Sequence, residues 1–364
     1  MKKILIIFTL TCAVAMHAQR MDDVAAHSKY IKAVDEYQPA PGQFVNTMPE
    51  YETGDTKEKM AAKCTEMLAN NERSVITLGG YAGYVTFHFD HSIANVKGQP
   101  DVLILGNCSY DGNSEPGIIQ VSKDVNHNGL PDDTWYELKG SADEDSIGKV
   151  VYGYAITYSR PATEEPDGIQ NPMSRQITIT NYIPWTDNMG GSGYMHKHHY
   201  YDHTYYPMWI SEDQLTFSPS TLLPPNSHNT LAYPQEYWIR NSLAWGYVDN
   251  KNNANTEACS FDFDHAVQIV SREPVDIDFV DFIRIYTGVN QFCGWIGETS
   301  TEVSGAEDLH VETSIQRIKD ALSGIRSVTS SDEAETACFD LQGRKTTSPS
   351  RGLYIRNGKK YIIK

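Results

Sequence analysis

The chain has 364 residues, 40% apolar and 21% charged, with a formal net charge of −17. So acidic a surface repels nucleic acid and anionic lipid, which excludes partners gripped through phosphate. Beyond the N-terminal stretch, no segment is long and apolar enough to read as a transmembrane segment.

The first 18 residues read as a secretory signal. Lys2 and Lys3 precede an apolar stretch, Ile4 to Ala15, too short to span a bilayer, and cleavage fits after Ala18 or after Ala15. Losing the two lysines takes the formal charge from −17 to −19. The mature protein is expected outside the cytoplasm, where Cys64, Cys108, Cys259, Cys293 and Cys338 can form disulfides or serve as small buried residues. Their spacing matches no zinc site and leaves the pairing open.

Residues 19–68 read as a lead-in. Thr56 to Asn70 has helical spacing, with Met60, Cys64 and Met67 on one stripe. From residue 69 the pattern changes to short β runs separated by Gly, Asn and Asp. These are Val75–Gly80, Tyr84–Phe89, Asp101–Gly106, Ile118–Ser122, Val150–Tyr158, Gln176–Tyr182, Ile277–Val280 and Phe282–Tyr286. With 22 Tyr and 6 Trp, many in Gly/Asn/Pro-rich contexts, the composition predicts an all-β domain over 69–313. A jelly-roll-like β-sandwich with long aromatic loops fits best.

Between two of these strands lies Asp124-Val-Asn-His-Asn-Gly-Leu-Pro-Asp-Asp133. Oxygens at alternating positions of a tight turn can converge on one centre, and an all-oxygen set suits Ca2+. The expected ligands are the side chains of Asp124, Asn126, Asn128 and Asp132 and the carbonyl of Leu130. Trp135 stands where a helix–loop–helix calcium hand carries Glu, and both flanks read as strands, so the ion is expected to be structural. The bland alternative is a polar hairpin loop, since Asn, Asp and Gly favour turns without any metal.

Residues 184–234 show little regular pattern, yet are too aromatic for disorder. Within them, Gly190-Gly-Ser-Gly leads into Tyr194, His196, His198, His199, Tyr201, His203, Tyr205 and Trp209. Three uses compete. The imidazoles could hold a transition metal, although strand spacing pairs His196 with His198 and helical spacing pairs His199 with His203. The rings could form a flat platform for a sugar or corrin ligand. They could also simply pack.

Downstream, Asp249 to Asn255 with Asp262, Asp264 and His265 reads as a solvated loop rather than a second calcium site. Glu298 with Glu302, or Glu307 with Asp308, could act as a glycosidase acid and base, or merely cap turns. A serine nucleophile elbow is missing, and Gly79-Gly80 and Gly83 lack the context of a nucleotide loop. Residues 314–336 read as a short helix, with Ile315, Ile318 and Leu322 on one face, and a polar linker. Residues 337–364 read as a small β unit in which Asn357-Gly358 marks a hairpin.

That tail, with Phe339-Asp-Leu-Gln-Gly-Arg-Lys345, Gly352-Leu-Tyr-Ile355 and Asn357-Gly-Lys-Lys-Tyr-Ile-Ile-Lys364, resembles the sorting domains of type IX secretion cargo in Bacteroidetes. The resemblance implies delivery to the cell surface or beyond. Five stretches resemble a family of Bacteroidetes cell-surface proteins encoded near TonB-dependent transporters. They are Leu78–His91, Ser114–Gly117 with Asp124–Glu137, Trp245–Asn250, and Phe282 to Val303 running on to His310. That resemblance implies capture of a nutrient, with vitamin B12 and related cobamides as the candidates and a transporter complex as partner. It assigns no ligand residue. The sequence therefore predicts a non-catalytic surface binding protein, with a glycan-binding or glycan-cleaving protein as the alternative.

Overall fold

A computed structural model describes residues 27–323, apart from 110–111, 145–148, 164–178, 199 and 232–234. It also describes 338–339, 345–346, 352–356 and 359–363. The expected signal, 1–18, and the linker from 324 onward lie outside these residues. The chain divides into two compact units, residues 1–318 and 319–364.

In chain order the first unit carries β1 (Ala33–Gln38), α1 (Lys57–Leu68), β2 (Ile76–Thr77), β3 (Tyr84–Ala94), β4 (Val102–Leu105), β5 (Gly117–Ser122) and β6 (Trp135–Leu138). Then come β7 (Val151–Ser159), β8 (Ile179–Asp187), β9 (Ser192–His198), β10 (Gln214–Leu222), β11 (Ser227–Asn229) and β12 (Trp238–Arg240). It ends with β13 (Ser260–Phe261), β14 (Ala266–Val267), β15 (Phe279–Thr287), β16 (Glu302–Val303), β17 (Gly305–Asp308) and α2 (Val311–Ser323), a helix that runs across the boundary at 318.

The expected all-β, sandwich-like architecture is the one found. A six-stranded antiparallel sheet in the order β1-β3-β15-β5-β6-β14 shares one apolar core with a four-stranded sheet, β10-β7-β8-β9. Strand β7 shows why it lies on one face: Tyr154, Ile156 and Tyr158 are buried and their neighbours are not, the period of two that a half-buried strand requires. Central β15 buries six of its nine residues and fully exposes none, as befits a strand with partners on both sides. An aromatic contact crosses between the sheets, Phe217 of β10 edge-on to Tyr84 of β3 at 6.3 Å, while Tyr158 of β7 packs on Phe217 within the second sheet at 6.1 Å. Cys64, Cys108, Cys259 and Cys293 are unpaired and buried, used as small packing residues.

Three sequence expectations change. Residues 33–68 do not precede the sandwich; they complete it. Strand β1 forms the edge beside β3, and α1 packs Met60, Ala61, Cys64 and Leu68 inward. The Thr65 hydroxyl takes the Val34 amide at 2.9 Å, so the helix covers a donor the edge would leave open. Within 184–234 the described residues are more regular than expected, for they supply the end of β8 and all of β9 and β10 of the second sheet. Pro184 sits inside β8 opposite Tyr194, and Pro219 lies where the β10 register shifts. Prolines ordinarily mark breaks and are tolerated at such irregular places. Finally, Phe279-Val280 and Phe282–Tyr286, expected as parts of two strands, belong to one, β15, whose pairing with β3 shifts register between Val280 and Phe282; Ile277 lies outside it.

The second unit holds β18 (Cys338–Phe339), β19 (Lys345–Thr346), β20 (Gly352–Arg356) and β21 (Lys359–Ile363), in the order β19-β18-β20-β21. Arg356 pairs with Lys359, the strand register expected of the predicted hairpin; Asn357 and Gly358 themselves lie outside the described residues.

Because Met60 is fully buried on α1, Met60→Ala is expected to cost about 2–5 kcal/mol. Urea unfolding followed by tryptophan fluorescence measures it. An unchanged midpoint would mean that α1 is a tethered appendage and not part of the core.

Candidate functional site

Loops from both sheets meet around a cleft of about 500 Å³. Gln43 and Phe44 reach it from the segment after β1, Glu115 from just before β5, and Tyr200 and Tyr201 from just after β9. Arg240 comes from the end of β12, Trp295 from a short helical turn after β15, and Glu302 from β16. At the rim Tyr200 is 68% exposed and Trp295 is 42% exposed. Beneath them the polar residues are buried.

Backbone amides hold those acids. Asp249 accepts the amides of Asn107 at 2.7 Å and Cys108 at 2.6 Å on Oδ1, and that of Glu302 at 3.1 Å on Oδ2. Glu115 Oε1 accepts the Ser300 amide at 3.0 Å and pairs with the Arg240 guanidinium, which also donates to Asn113. Glu298 Oε1 accepts the Gln43 amide at 2.5 Å. The approach of Asp249 to Gly106 explains that glycine: a Cβ there would lie 2.6 Å from the Asp249 Cβ.

Burial sets the electrostatics. Desolvation raises the Glu115 carboxyl against the pull of Arg240, and raises Asp249 with help from the Glu115 charge. Glu302 is raised as well, by burial and then by the charges of Glu115 and Asp249. Burial lifts Glu298 to about 7, against the Gln43 amide. Three polar atoms beside the cleft are buried without a hydrogen-bond partner: Gln43 Oε1, Arg240 Nε and Glu298 Oε2.

The aromatic candidates separate. Tyr194 is exposed on β9 and His196 is half-buried two residues on, its ring 4.9 Å from Phe292. Burial lowers the pKa of His196 and of His203. His198 ends β9, opposite Ile179, and His199 lies outside the described residues. Tyr201 lines the cleft and packs on Phe44 at 5.3 Å. His203 is half-buried between the rings of Tyr201 and Tyr205. Tyr205 and Trp209 correct the platform picture: both are core residues, Tyr205 against Tyr182 and Trp209 stacked on Tyr37 at 5.6 Å. A ring face already covered by the core cannot receive a ligand.

The oxygen-rich loop closes the β5–β6 hairpin, as its flanks predict. Asp124 Oδ1 and Asn126 Oδ1 both accept the Asn128 amide, at 3.1 and 2.9 Å, and Asp124 Oδ2 accepts that of Gly129 at 2.9 Å. Asp132 takes the side-chain amides of Asn126 at 3.1 Å and Asn128 at 3.0 Å. Leu130 donates its amide to Asn128 Oδ1 at 2.8 Å. The four side chains thus converge at an exposed turn through hydrogen bonds within the loop, the pattern that a polar Asx-rich turn makes by itself.

The other acidic candidates have structural partners. Glu307 is bound by Lys29 at 2.6 Å and by Arg73, and Asp308 by His91 at 2.8 Å and Ser314 at 2.9 Å. Asp264 binds Lys97 at 2.7 Å, and Asp262 caps a turn through the Asp264 amide at 2.8 Å. His265 packs beside Trp245. Asp249 and Asn250, in contrast, are buried, which overturns the solvated-loop reading at its first two positions. Sequence reasoning weighed Glu298 and Glu302, and Asp249 in a loop it took as solvated, but missed Glu115, Arg240 and Gln43. The available signal was that Glu115, Asp249, Glu298 and Glu302 all fall within the stretches that carry the surface-protein resemblance.

Searched against protein-family models and curated proteins, the chain matches none.

Arg240→Ala would leave Glu115 buried without its ion-pair partner, and is expected to lower stability by about 3–5 kcal/mol. Thermal or urea unfolding measures it. A loss below about 1 kcal/mol, the size of an exposed pair, would show that the cleft floor is wet.

Proposed function

We propose that this chain is an exported, non-catalytic binding protein that captures a small polar nutrient at the Trp295–Tyr200 cleft, beside an outer-membrane transporter. The observation that carries the reading is the cleft itself, an aromatic rim over buried acids, Arg240 and Gln43. Small-molecule sites have that composition and volume. The surface-protein resemblance favours a cobamide as ligand. The rim favours a sugar as the second reading, because exposed Trp and Tyr faces stack on sugar rings while acids and guanidinium groups take the hydroxyls. Capture fits better than turnover: Asp249 is held by three amides and Glu115 by Arg240, so neither stands free as a nucleophile.

The purified chain mixed with cyanocobalamin is expected to co-elute with it and shift its visible spectrum. In the second reading it binds a glycan in a calorimetric panel. In either case Trp295→Ala should weaken binding about tenfold, equivalent to ~1.4 kcal/mol. Binding of neither class, or release of reducing sugar from the glycans, would overturn the proposal.

The same reading gives the Asp124–Asp132 loop a structural calcium ion held by Asp124, Asn126, Asn128, the Leu130 carbonyl and Asp132. An ion bound only to the folded chain stabilises it by mass action. EGTA should therefore lower the melting temperature by several degrees, and Asp124→Asn should remove the loop's share of that response. A chain indifferent to chelator has no such ion.

A further inference from the structure

At the cleft floor, Glu115, Asp249 and Glu302 each offer a carboxylate oxygen, and these oxygens lie within 4.8 Å of one another. All three residues are at most 6% exposed. Glu298, 3% exposed, stands close enough for its charge to act on Glu115. Among the described residues, Arg240 makes the only ion pair to these four acids. Carboxylates buried in such excess must be neutralised, since an uncompensated buried charge is among the costliest features a fold can carry.

A second observation points the same way. Gln43 lines the same cleft as Glu115 and Glu302, is 3% exposed, and buries its Oε1 without a hydrogen-bond partner. Its amide side chain is a neutral hard-oxygen donor. Gln43 and two of the three carboxylates line one cleft, and such a mixed set of hard oxygens resembles those that hold oxygen-preferring cations.

We propose that Glu115, Asp249 and Glu302 bind a divalent cation of the calcium–manganese class at the floor of the cleft. This site is separate in sequence and residues from the Asp124–Asp132 loop. Asp249 is oriented for the role by its three amides, which fix the carboxylate before any ion arrives. Because Glu115, Glu302 and Gln43 also line the cleft, an ion held there meets whatever enters. The competing way to neutralise the cluster is a proton shared among the carboxyls, and the experiment separates the two.

The full chain is stripped with EDTA, loaded with Ca2+ or Mn2+, freed of excess ion by gel filtration and assayed for bound metal. The Asp124→Asn/Asp132→Asn chain removes the loop site from the count. That chain is expected to retain one equivalent of ion and to melt several degrees higher with it than without. Adding Glu302→Gln should abolish both effects, as should Glu115→Gln. Retention of no ion by the loop-disabled chain overturns the proposal, and that measurement stands even if a floor variant fails to fold. Retention undiminished by Glu302→Gln overturns it as well. A floor variant that melts higher than its parent, with no ion bound by either, identifies the shared proton. None of these readouts depends on the nutrient, so failure of ligand capture leaves the test intact.

Discussion

Buried negative charge organises one end of this sandwich. Asp249 joins the segment after β4 to β16 through three amides. Glu115 joins the start of β5 to Ser300 and to Arg240, and Glu298 reaches Gln43 beyond β1. Four stretches far apart in the chain are thereby tied to one small volume. The arrangement is expensive, because each carboxylate gives up water for a few amides and one guanidinium. A fold built only for stability would fill this space with apolar side chains. Retaining acids here, under an open cleft, places the demand on function.

The aromatic segment after β9 serves that end indirectly. Its buried members do not touch the cleft, but they hold the loop that does. The carbonyl of Tyr205 accepts the Gly42 amide at 3.1 Å. Asn46 donates to the carbonyls of Thr204 at 2.7 Å and Tyr206 at 3.0 Å, and takes the Met208 amide at 2.9 Å. Trp209 locks the same segment onto Tyr37 of β1. Residues 40–46, which present Gln43 and Phe44, and residues 200–209, which present Tyr200 and Tyr201, are therefore clamped together. Anchoring in the core gives the cleft wall a fixed shape, and a preorganised wall lowers the ordering cost of binding.

Legibility in the sequence follows from how local each feature is. The loop at Asp124–Asp132, the α1 stripe and the Asn357-Gly358 hairpin are written in consecutive residues, so turn chemistry and periodicity find them. The all-β class was equally readable from strand length and turn residues. The second sheet was only half legible because Pro184 and Pro219 interrupt strands that pairing nonetheless sustains. The aromatic cluster misled for a different reason. Tyr and Trp suit both cores and ligand platforms, and only tertiary packing sends Tyr205 and Trp209 inward while leaving Tyr200 out. The acidic floor was least visible, since its members are spread from Glu115 to Glu302 and each looks like ordinary turn material.

The two oxygen-rich places sit at opposite ends of one strand. Glu115 immediately precedes β5 at the cleft, and Asp124 follows it at the exposed loop. Six extended residues span roughly 20 Å, so nothing bound at the loop can touch a ligand in the cleft. The loop instead fastens the far end of the sheet: the Asp124 amide donates to Asp281 at 2.8 Å, at the start of β15, and Asp281 also accepts from Ser92 of β3. Strands β3, β15 and β5 are adjacent in the sheet, and β15 leads on to the turn that carries Trp295. An ion at the loop would hold those three strands in register at one end. The carboxylate cluster holds the segments that leave them at the other. Rigidity at the loop therefore reaches the cleft through the sheet, which is the sense in which a calcium ion there would be structural.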